Sequence, residues 1–360
     1  MNAARAAEAL ITRDDAPRGA VVGISRGGAN DIAAAGVANS SGRPLTSETL
    51  FDLASVTKVA GTTSALHRLA ARGELSFDDP VSRYLDTSPC TPDTTVRTLL
   101  QHRAGLWEWQ PLYFTAEPAG AIDELPLRYP AHTARRYSDL GFMLLGRIVS
   151  VAAGLPLEEA VRELVHVPLG MTRTGYRPDP AEDVAASSHG DAAERRMVRT
   201  GEPYPILFAD PGFAWREHEL VGEANDGNCH HAFGGVSGHA GLFSTAADLL
   251  ALGASLATAE HHEFWGTEVS ADVFRDGPDT GQALGWRSLP VQIDGRLERM
   301  LWHGGYVGTG LGFIPGREIA VVMLTNRLFA DPVPAVEDLW ATTLAALPEF
   351  SPSTVTEDHA

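Results

Sequence analysis

The sequence predicts an α/β fold: an antiparallel sheet flanked by helices and interrupted by a mostly helical insertion. Three observations carry this reading. Strand-like apolar segments gather at the two ends of the chain, at 20–25 and 32–38 and again at 284–289, 297–302, 310–314 and 319–325. Segments with a 3.6-residue apolar period fill the stretch between them. The turn Pro315-Gly316-Arg317-Glu318 joins two of the late strands as a hairpin, so neighbouring strands run in opposite directions. Strands this far apart in sequence form one sheet only if the two ends of the chain meet.

The elements follow in order. Residues 1–16 suit a short helix. Ala20 to Ser25 reads as a strand, Arg26-Gly27-Gly28 as a turn, and Ile32 to Ala38 as the returning strand. A helix begins near Ser55 and stops at Gly73, the residue that tolerates a left-handed conformation. Residues 74–89, with Asp78-Asp79-Pro80, look like surface connection. Val96 to His102 is a short helix, and a loop then runs to about Tyr129. Its aromatics Trp107, Trp109, Tyr113 and Phe114 either wall a pocket or pack onto the body. Ser138 to Ala153 is a helix stopped by Gly154, and Pro156 to Val167 is another, with proline at its start. Residues 175–230 are rich in Gly, Pro and charge. That is too long for a structureless loop, so short helices and a lid on the substrate side are expected. A glycine-dense stretch, 233–244, precedes a helix at about 246–257, and a last helix runs from about Val333 to Leu347. Residues 1–75 with 235–350 would form the α/β lobe, residues 76–234 a helical and loop-rich lobe, with the active site between them.

Composition narrows the function. The chain has 360 residues, of which 44% are hydrophobic and 21% charged, the proportions of an ordinary soluble protein. Its net charge of −18 argues against nucleic acid or an anionic membrane surface as a partner. Cys90 and Cys229 offer no disulfide framework and suit a reducing compartment. The first residues lack the apolar run of a signal peptide, and no stretch approaches a membrane span, so the expected location is cytoplasmic.

The chemistry centres on Phe51-Asp52-Leu53-Ala54-Ser55-Val56-Thr57-Lys58. Residues three apart share a helix face, so Ser55 Oγ and Lys58 Nζ meet in the first turn. That turn also presents unpaired N–H groups and the positive end of the helix dipole. Lys58 is the only lysine among the 28 basic residues, the other 27 being arginine. Arginine keeps its proton at any working pH, whereas lysine exchanges one and can serve in catalysis. On its own, Ser-x-x-Lys more often marks a helix cap beside a solvated lysine. Two further motifs tip the balance: Arg136-Tyr137-Ser138-Asp139-Leu140-Gly141, and Trp302-His303-Gly304-Gly305-Tyr306 on a late strand.

The three motifs in this order, with Leu99-Leu100-Gln101-His102-Arg103-Ala104-Gly105-Leu106, resemble the penicillin-recognising serine hydrolases: class C β-lactamases, DD-peptidases and family VIII carboxylesterases. The resemblance spans residues 20–330 and implies a β-lactamase/transpeptidase-like fold. It makes Ser55 the nucleophile of an acyl-enzyme, Tyr137 the acceptor of its proton, and Lys58 the group that holds this network. The oxyanion hole would be the backbone N–H groups of Ser55 and Tyr306. Asp139, His303, Gly304, Gly305 and Trp107 would meet the substrate, the two glycines by leaving an edge strand free of side chains. Asp139 beside Lys58 would keep it protonated, and the cation would lower the Tyr137 pKa.

Two departures bear on the substrate. The β-lactamase pattern places Asn where this chain has Asp139, and Lys-Thr-Gly where it has His303-Gly304-Gly305. Without that lysine, a fixed cation for a β-lactam carboxylate is missing. The expected activity is therefore hydrolysis of a small ester, with amide, β-lactam and D-amino-acid peptide substrates or acyl transfer as alternatives. A non-catalytic binding protein on the same fold is the reading from a different class. No cofactor or metal is expected, because His230-His231 and His261-His262 lack metal-site spacing with acids. His239 reads as structural, and Gly235-Val236-Ser237-Gly238 has the wrong spacing for a nucleophile elbow.

Overall fold

The computed structural model describes residues 1–259 and 263–351. His261 and His262 lie outside the described residues. The chain opens with α1 (Ala3–Ile11), β1 (Gly19–Arg26), β2 (Ala29–Gly36) and the short β3 (Phe51–Asp52). The Ser55 helix follows in three parts: a 3-10 turn at Ala54–Val56, a π-helical stretch at Lys58–Thr63, and α2 (Ser64–Ala71). Then come α3 (Val96–Leu100), α4 (Pro118–Glu124), α5 (Asp139–Ala153), α6 (Leu157–Val161), β4 (Gly175–Tyr176) and α7 (Ala192–Thr200). The C-terminal part holds β5 (Leu242–Ser244), α8 (Ala246–Ala257), α9 (Thr267–Phe274), β6 (Arg287–Ile293), β7 (Arg296–Gly305), β8 (Thr309–Ile314), β9 (Ile319–Thr325), α10 (Val336–Ala346) and β10 (Phe350–Ser351).

Seven strands form one antiparallel sheet in the order β10-β6-β7-β8-β9-β1-β2. The two ends of the chain meet where β9 pairs with β1, Ala20 opposite Thr325 and Arg26 opposite Ile319. Both faces are covered, which is why β8 and β9 read as unbroken apolar runs rather than alternating ones. Val322 and Leu324 point into the large core shared with α2, α5 and α8. Val321 and Met323 point into a second core with α1 and α10. A small sheet, β3-β5-β4, ties the nucleophile region to the insertion.

The Ser55 helix stands between the sheet and the helices. Its first turn touches β7 and β8, and its body packs on α5, α6 and α9. Gly73, at φ +70°, ends it as expected. The π-helical stretch was not legible in the sequence. There Ser64 Oγ donates to Val59 O at 2.6 Å, and Thr62 Oγ1 donates to Gly238 O at 2.7 Å. Such widened turns occur mostly at functional sites.

Several boundaries move. The strand expected at 284–289 forms at 287–293, because Ala283 and Leu284 are buried in the turn before it. Residues 74–89 are more than surface connection, since Leu75, Phe77, Val81 and Leu85 are in the main core. Helices α4 and α9 were not anticipated. The 175–230 stretch contains α7 and β4 and is otherwise irregular. Among the described residues, no single helix is long and apolar enough to cross a membrane.

Candidate active site

Ser55 sits just after a backbone irregularity. Ala54 has φ +44°, in the left-handed region that residues with a Cβ seldom adopt. Lys58, three residues on, is fully buried. Its Nζ donates to Ser55 Oγ at 2.8 Å and to His239 O at 3.1 Å, and lies 2.7 Å from Asp139 Oδ1. The Asp139 contact is an ion pair that lacks good hydrogen-bond direction. Tyr137 completes the group: Lys58 Nζ lies 5.1 Å from the centre of its ring, and Lys58 and Ser55 both act to lower the pKa of its phenol. The structure thus brings together Ser55, Lys58, Tyr137 and Asp139 as expected. It places Asp139 on Lys58, which gives its carboxylate a partner within the protein.

The protonation pattern corrects one expectation. Burial disfavours charge on Lys58, but Asp139 and Tyr137 outweigh it, and the ammonium is held more tightly than in water. Lys58 does pull the Tyr137 pKa down. Burial, with Asp139 adding to it, wins, and the phenol pKa lies above its ordinary value. At rest both groups carry their protons, so Tyr137 is not a standing phenolate.

Two neutral histidines flank the tyrosine. The His102 ring lies 4.6 Å from the Tyr137 ring and the His303 ring 6.2 Å from it. His102, at φ +56°, accepts the Ser138 N–H on Nδ1 at 3.1 Å, so its own proton is on Nε2. His303 faces the Gly304 carbonyl through Nδ1 at 2.9 Å. A carbonyl only accepts, so this proton is on Nδ1. Burial and the Lys58 charge push the His303 pKa down to about 3, and burial with Arg135 and Lys58 drives His102 well below its usual value.

The late strand adds a packing constraint to the sequence reading. β7 is an inner strand, but its pairing with β6 ends at Trp302, leaving His303 to Gly305 paired only to β8. The glycines also serve packing. A Cβ on Gly304 would meet Val336 Cγ1 at 2.9 Å, on the α10 side of the sheet. A Cβ on Gly305 would sit 2.4 Å from Leu53 O, the carbonyl to which Thr309 Oγ1 donates at 2.9 Å. Gly305 therefore lets the strand lie directly on the turn that carries Ser55. The backbone N–H groups of Ser55 and Tyr306 belong to these two touching segments, as an oxyanion hole requires. Tyr306 itself is about half exposed.

Trp107 has a supporting role. Its indole N–H donates to Pro126 O at 2.9 Å, Arg128 stacks on its ring, and its carbonyl accepts from Ser138 Oγ at 2.6 Å. Trp109 and Tyr113 are buried, and Tyr113 packs on Phe213 and Trp215 of the insertion. Gln110, fully buried, straps residues 205–207 by bonds to Pro205 O at 2.9 Å and Leu207 N at 2.8 Å. Tyr204, just before this strap, feels the charges of Asp139 and Tyr137. Gln110 thus ties this part of the insertion to the loop that follows Trp107.

Asp226 and Asp52 escaped the sequence reading, and His239, read as structural, works with Asp226. Asp226 accepts from His239 Nε2 at 2.9 Å and from Cys229 N–H at 2.7 Å, and His239 supplies the carbonyl that Lys58 bonds. His239 Nδ1 meets Ser237 Oγ at 2.8 Å. Asp52 underlies the nucleophile turn. Their partners are remote in sequence or local in ways that no periodicity reveals.

A serine bonded to a buried lysine, with a tyrosine over that lysine and a strand end against the serine's turn, is an arrangement suited to acyl transfer by a serine hydrolase. Residues 7–345 match the family model described as Beta-lactamase, and the chain belongs to that family. A protein of Escherichia coli (strain K12), whose name assigns it provisionally to the D-alanyl-D-alanine carboxypeptidases, is 29% identical over 316 residues, covering 78% of this chain and 70% of its own. An N-acetylmuramyl-L-alanine amidase of Bacillus subtilis (strain 168) is 31% identical over 309 residues, with coverages of 78% and 68%. The solved structure of EstCE1, described as a hydrolase with promiscuous acyltransferase activity, superimposes with a TM-score of 0.63 at 26% identity, covering 86% of this chain and 89% of its own.

Proposed function

We propose that this serine hydrolase cleaves small carboxylic esters through an acyl-enzyme on Ser55. The observation that carries the reading is His303. Its ring is buried, and burial beside Lys58 keeps it neutral down to about pH 3. The strand position that holds a lysine in the β-lactamase pattern therefore offers no cation to a substrate carboxylate. Uncharged acyl groups lose nothing by this, whereas β-lactams lose a charge-assisted hydrogen bond. The similarity to EstCE1 supports the same choice.

In the proposed reaction, the Lys58–Tyr137 pair first releases one proton to solvent, and Ser55 Oγ then attacks the ester carbonyl while its own proton passes into the vacated position. The oxyanion is met by the N–H groups of Ser55 and Tyr306. The pair returns a proton to the departing alcohol, and water then repeats the sequence on the acyl-enzyme. The names of the Escherichia coli and Bacillus subtilis relatives favour an amide substrate as the second reading.

A panel of p-nitrophenyl esters, nitrocefin and a D-alanyl-D-alanine peptide separates these readings. The catalytic efficiency on p-nitrophenyl butyrate is expected to exceed that on nitrocefin by about one to two orders of magnitude, the worth of a charge-assisted hydrogen bond. Equal efficiencies would overturn the ester reading, and dominance of the peptide would replace it with the second.

A further inference from the structure

Asp52 belongs to none of the three sequence motifs' catalytic roles, yet its carboxylate is 3% exposed directly beneath the nucleophile turn. Oδ1 accepts the Ala54 N–H at 2.7 Å, and Oδ2 accepts the Asn225 N–H at 2.6 Å. Ala54 is the residue at φ +44°, and Ser55 is its immediate neighbour. The turn is also fixed on its other sides: Leu53 N–H donates to Leu242 O at 2.9 Å, and Leu53 O accepts from Thr309 Oγ1 at 2.9 Å. The bond to Asp52 acts on the strained residue itself.

We propose that Asp52 is a positioning residue for acyl transfer, holding Ala54 in its left-handed conformation and thereby aiming Ser55 Oγ and the Ser55 N–H. The second oxygen extends the same hold to the 225–229 segment. There Asp226 orients His239, whose carbonyl carries one bond of Lys58. One carboxylate thus sets the nucleophile turn and the support of its lysine against each other. This inference rests on Ser55 being the nucleophile, not on the identity of the ester.

The arrangement has a pH dependence. Asp226, Arg216 and the Cys229 thiol are the titratable groups whose charges act with Asp52, and the backbone N–H groups of Ala54 and Asn225 face its oxygens. Burial outweighs the two N–H donors and lifts the Asp52 pKa to about 6. Below that pH one oxygen becomes a hydroxyl, and one of the two N–H groups loses its acceptor.

The test is a cycle of Asp52→Asn and Ala54→Gly, assayed on p-nitrophenyl butyrate and by the rate of fluorophosphonate labelling of Ser55. Asp52→Asn should lower kcat by about 10- to 100-fold, the scale of a sub-ångström to ångström misplacement, with KM changed by less than about twofold. Glycine takes a positive φ without help, so Ala54→Gly in the Asp52→Asn background should recover most of the loss. A purely structural role for Asp52 through Asn225 predicts no rescue. Asp52→Asn with undiminished kcat, or a loss that glycine at 54 leaves untouched, overturns the proposal. Should Asp52→Asn not fold, the unmodified protein decides. Its labelling rate should decline below about pH 6 and Ala54→Gly alone should lessen that decline, whereas a flat rate from about pH 5 to 7.5, or a decline that Ala54→Gly leaves unchanged, overturns the proposal. Labelling of Ser55 without ester turnover would count against the ester reading alone.

Discussion

The ammonium of Lys58 sits between Ser55 Oγ, Asp139 and the His239 carbonyl, and this crowding sets the acid–base behaviour of the site. Asp139 raises the pKa of both Lys58 and Tyr137. Two protons therefore rest on a pair that must release one before it can accept the proton of Ser55, and the pair titrates as a unit. Activity should rise with pH on the acid side of its profile as that proton leaves. Asp139→Asn keeps the shape and removes the charge that holds both protons. Its acid limb should therefore move to lower pH, and an unmoved limb in kcat/KM against pH would contradict this coupling. Lys58→Arg keeps the cation but cannot give up its proton. It should retain far less than wild-type activity and still exceed Ser55→Ala, which should show no acyl adduct by mass spectrometry. The sequence made Ser55, Lys58 and Tyr137 legible because helix spacing and a lone lysine are local signals. It left Asp52, Asp226 and the His239 carbonyl unread, because their meaning comes from contacts such as Lys58 with His239, 181 residues apart.

At the scale of elements, the end of β7 and the Ser55 turn behave as one part. Gly305→Ala would force a Cβ against Leu53 O at 2.4 Å and Thr309 Oγ1 at 2.2 Å. The backbone carbonyl cannot swing aside, so the strand and turn must separate. The variant should lose about 100-fold in kcat on p-nitrophenyl butyrate. Gly304→Ala meets Val336 Cγ1 and Trp302 Cζ3 on the opposite face, so its cost should appear in thermal stability more than in kcat. Similar kcat losses in both would show that the two glycines share a role. Sequence reading placed this strand and the Ser55 helix correctly. It did not reveal the packing role of the glycines, because one strand alone does not tell which face a neighbour occupies. The π-helical stretch was equally hidden, since it depends on Ser64 and Thr62 finding the carbonyls of Val59 and Gly238.

For the whole molecule, four of the buried histidines among the described residues bear most on how stability depends on pH. Burial lowers His67 and His303 to about 3 and His166 to about 4, and takes His102 well below its usual value. All four are neutral in the fold and gain a proton on unfolding below about pH 6.5. Stability should thus be fully present above that pH and fall as pH drops. Three carboxyls act in the opposite sense, because burial raises Asp248, lifts Asp52 to about 6 and, with Asp226, lifts Glu194 to about 8. Half-buried His230 is also lowered to about 4, so the histidines outnumber these carboxyls and leave a net loss between about pH 6.5 and 4.5. Thermal unfolding should show a lower Tm at pH 5 than at pH 7, and an equal or higher Tm would refute this balance. The architecture itself was largely visible in the sequence, because a sheet covered on both faces needs long apolar strands at both ends of the chain.

The pairing of β1 with β9 governs the order in which this molecule can be made. As the chain leaves the ribosome, the β1–β2 hairpin appears first, with the side of β1 that will meet β9 still vacant. It stays vacant until roughly 300 more residues have been synthesised, the separation between the partner strands. Leu53 likewise waits for Thr309, 256 residues downstream, to bond its carbonyl. The nucleophile exists early, but the backbone that aims it is assembled only near the end of translation. A nascent chain lacking β7 to β9 thus carries Ser55, Lys58 and Tyr137 without the strand that packs on their turn, and on the proposed mechanism it should show no hydrolysis until the sheet closes.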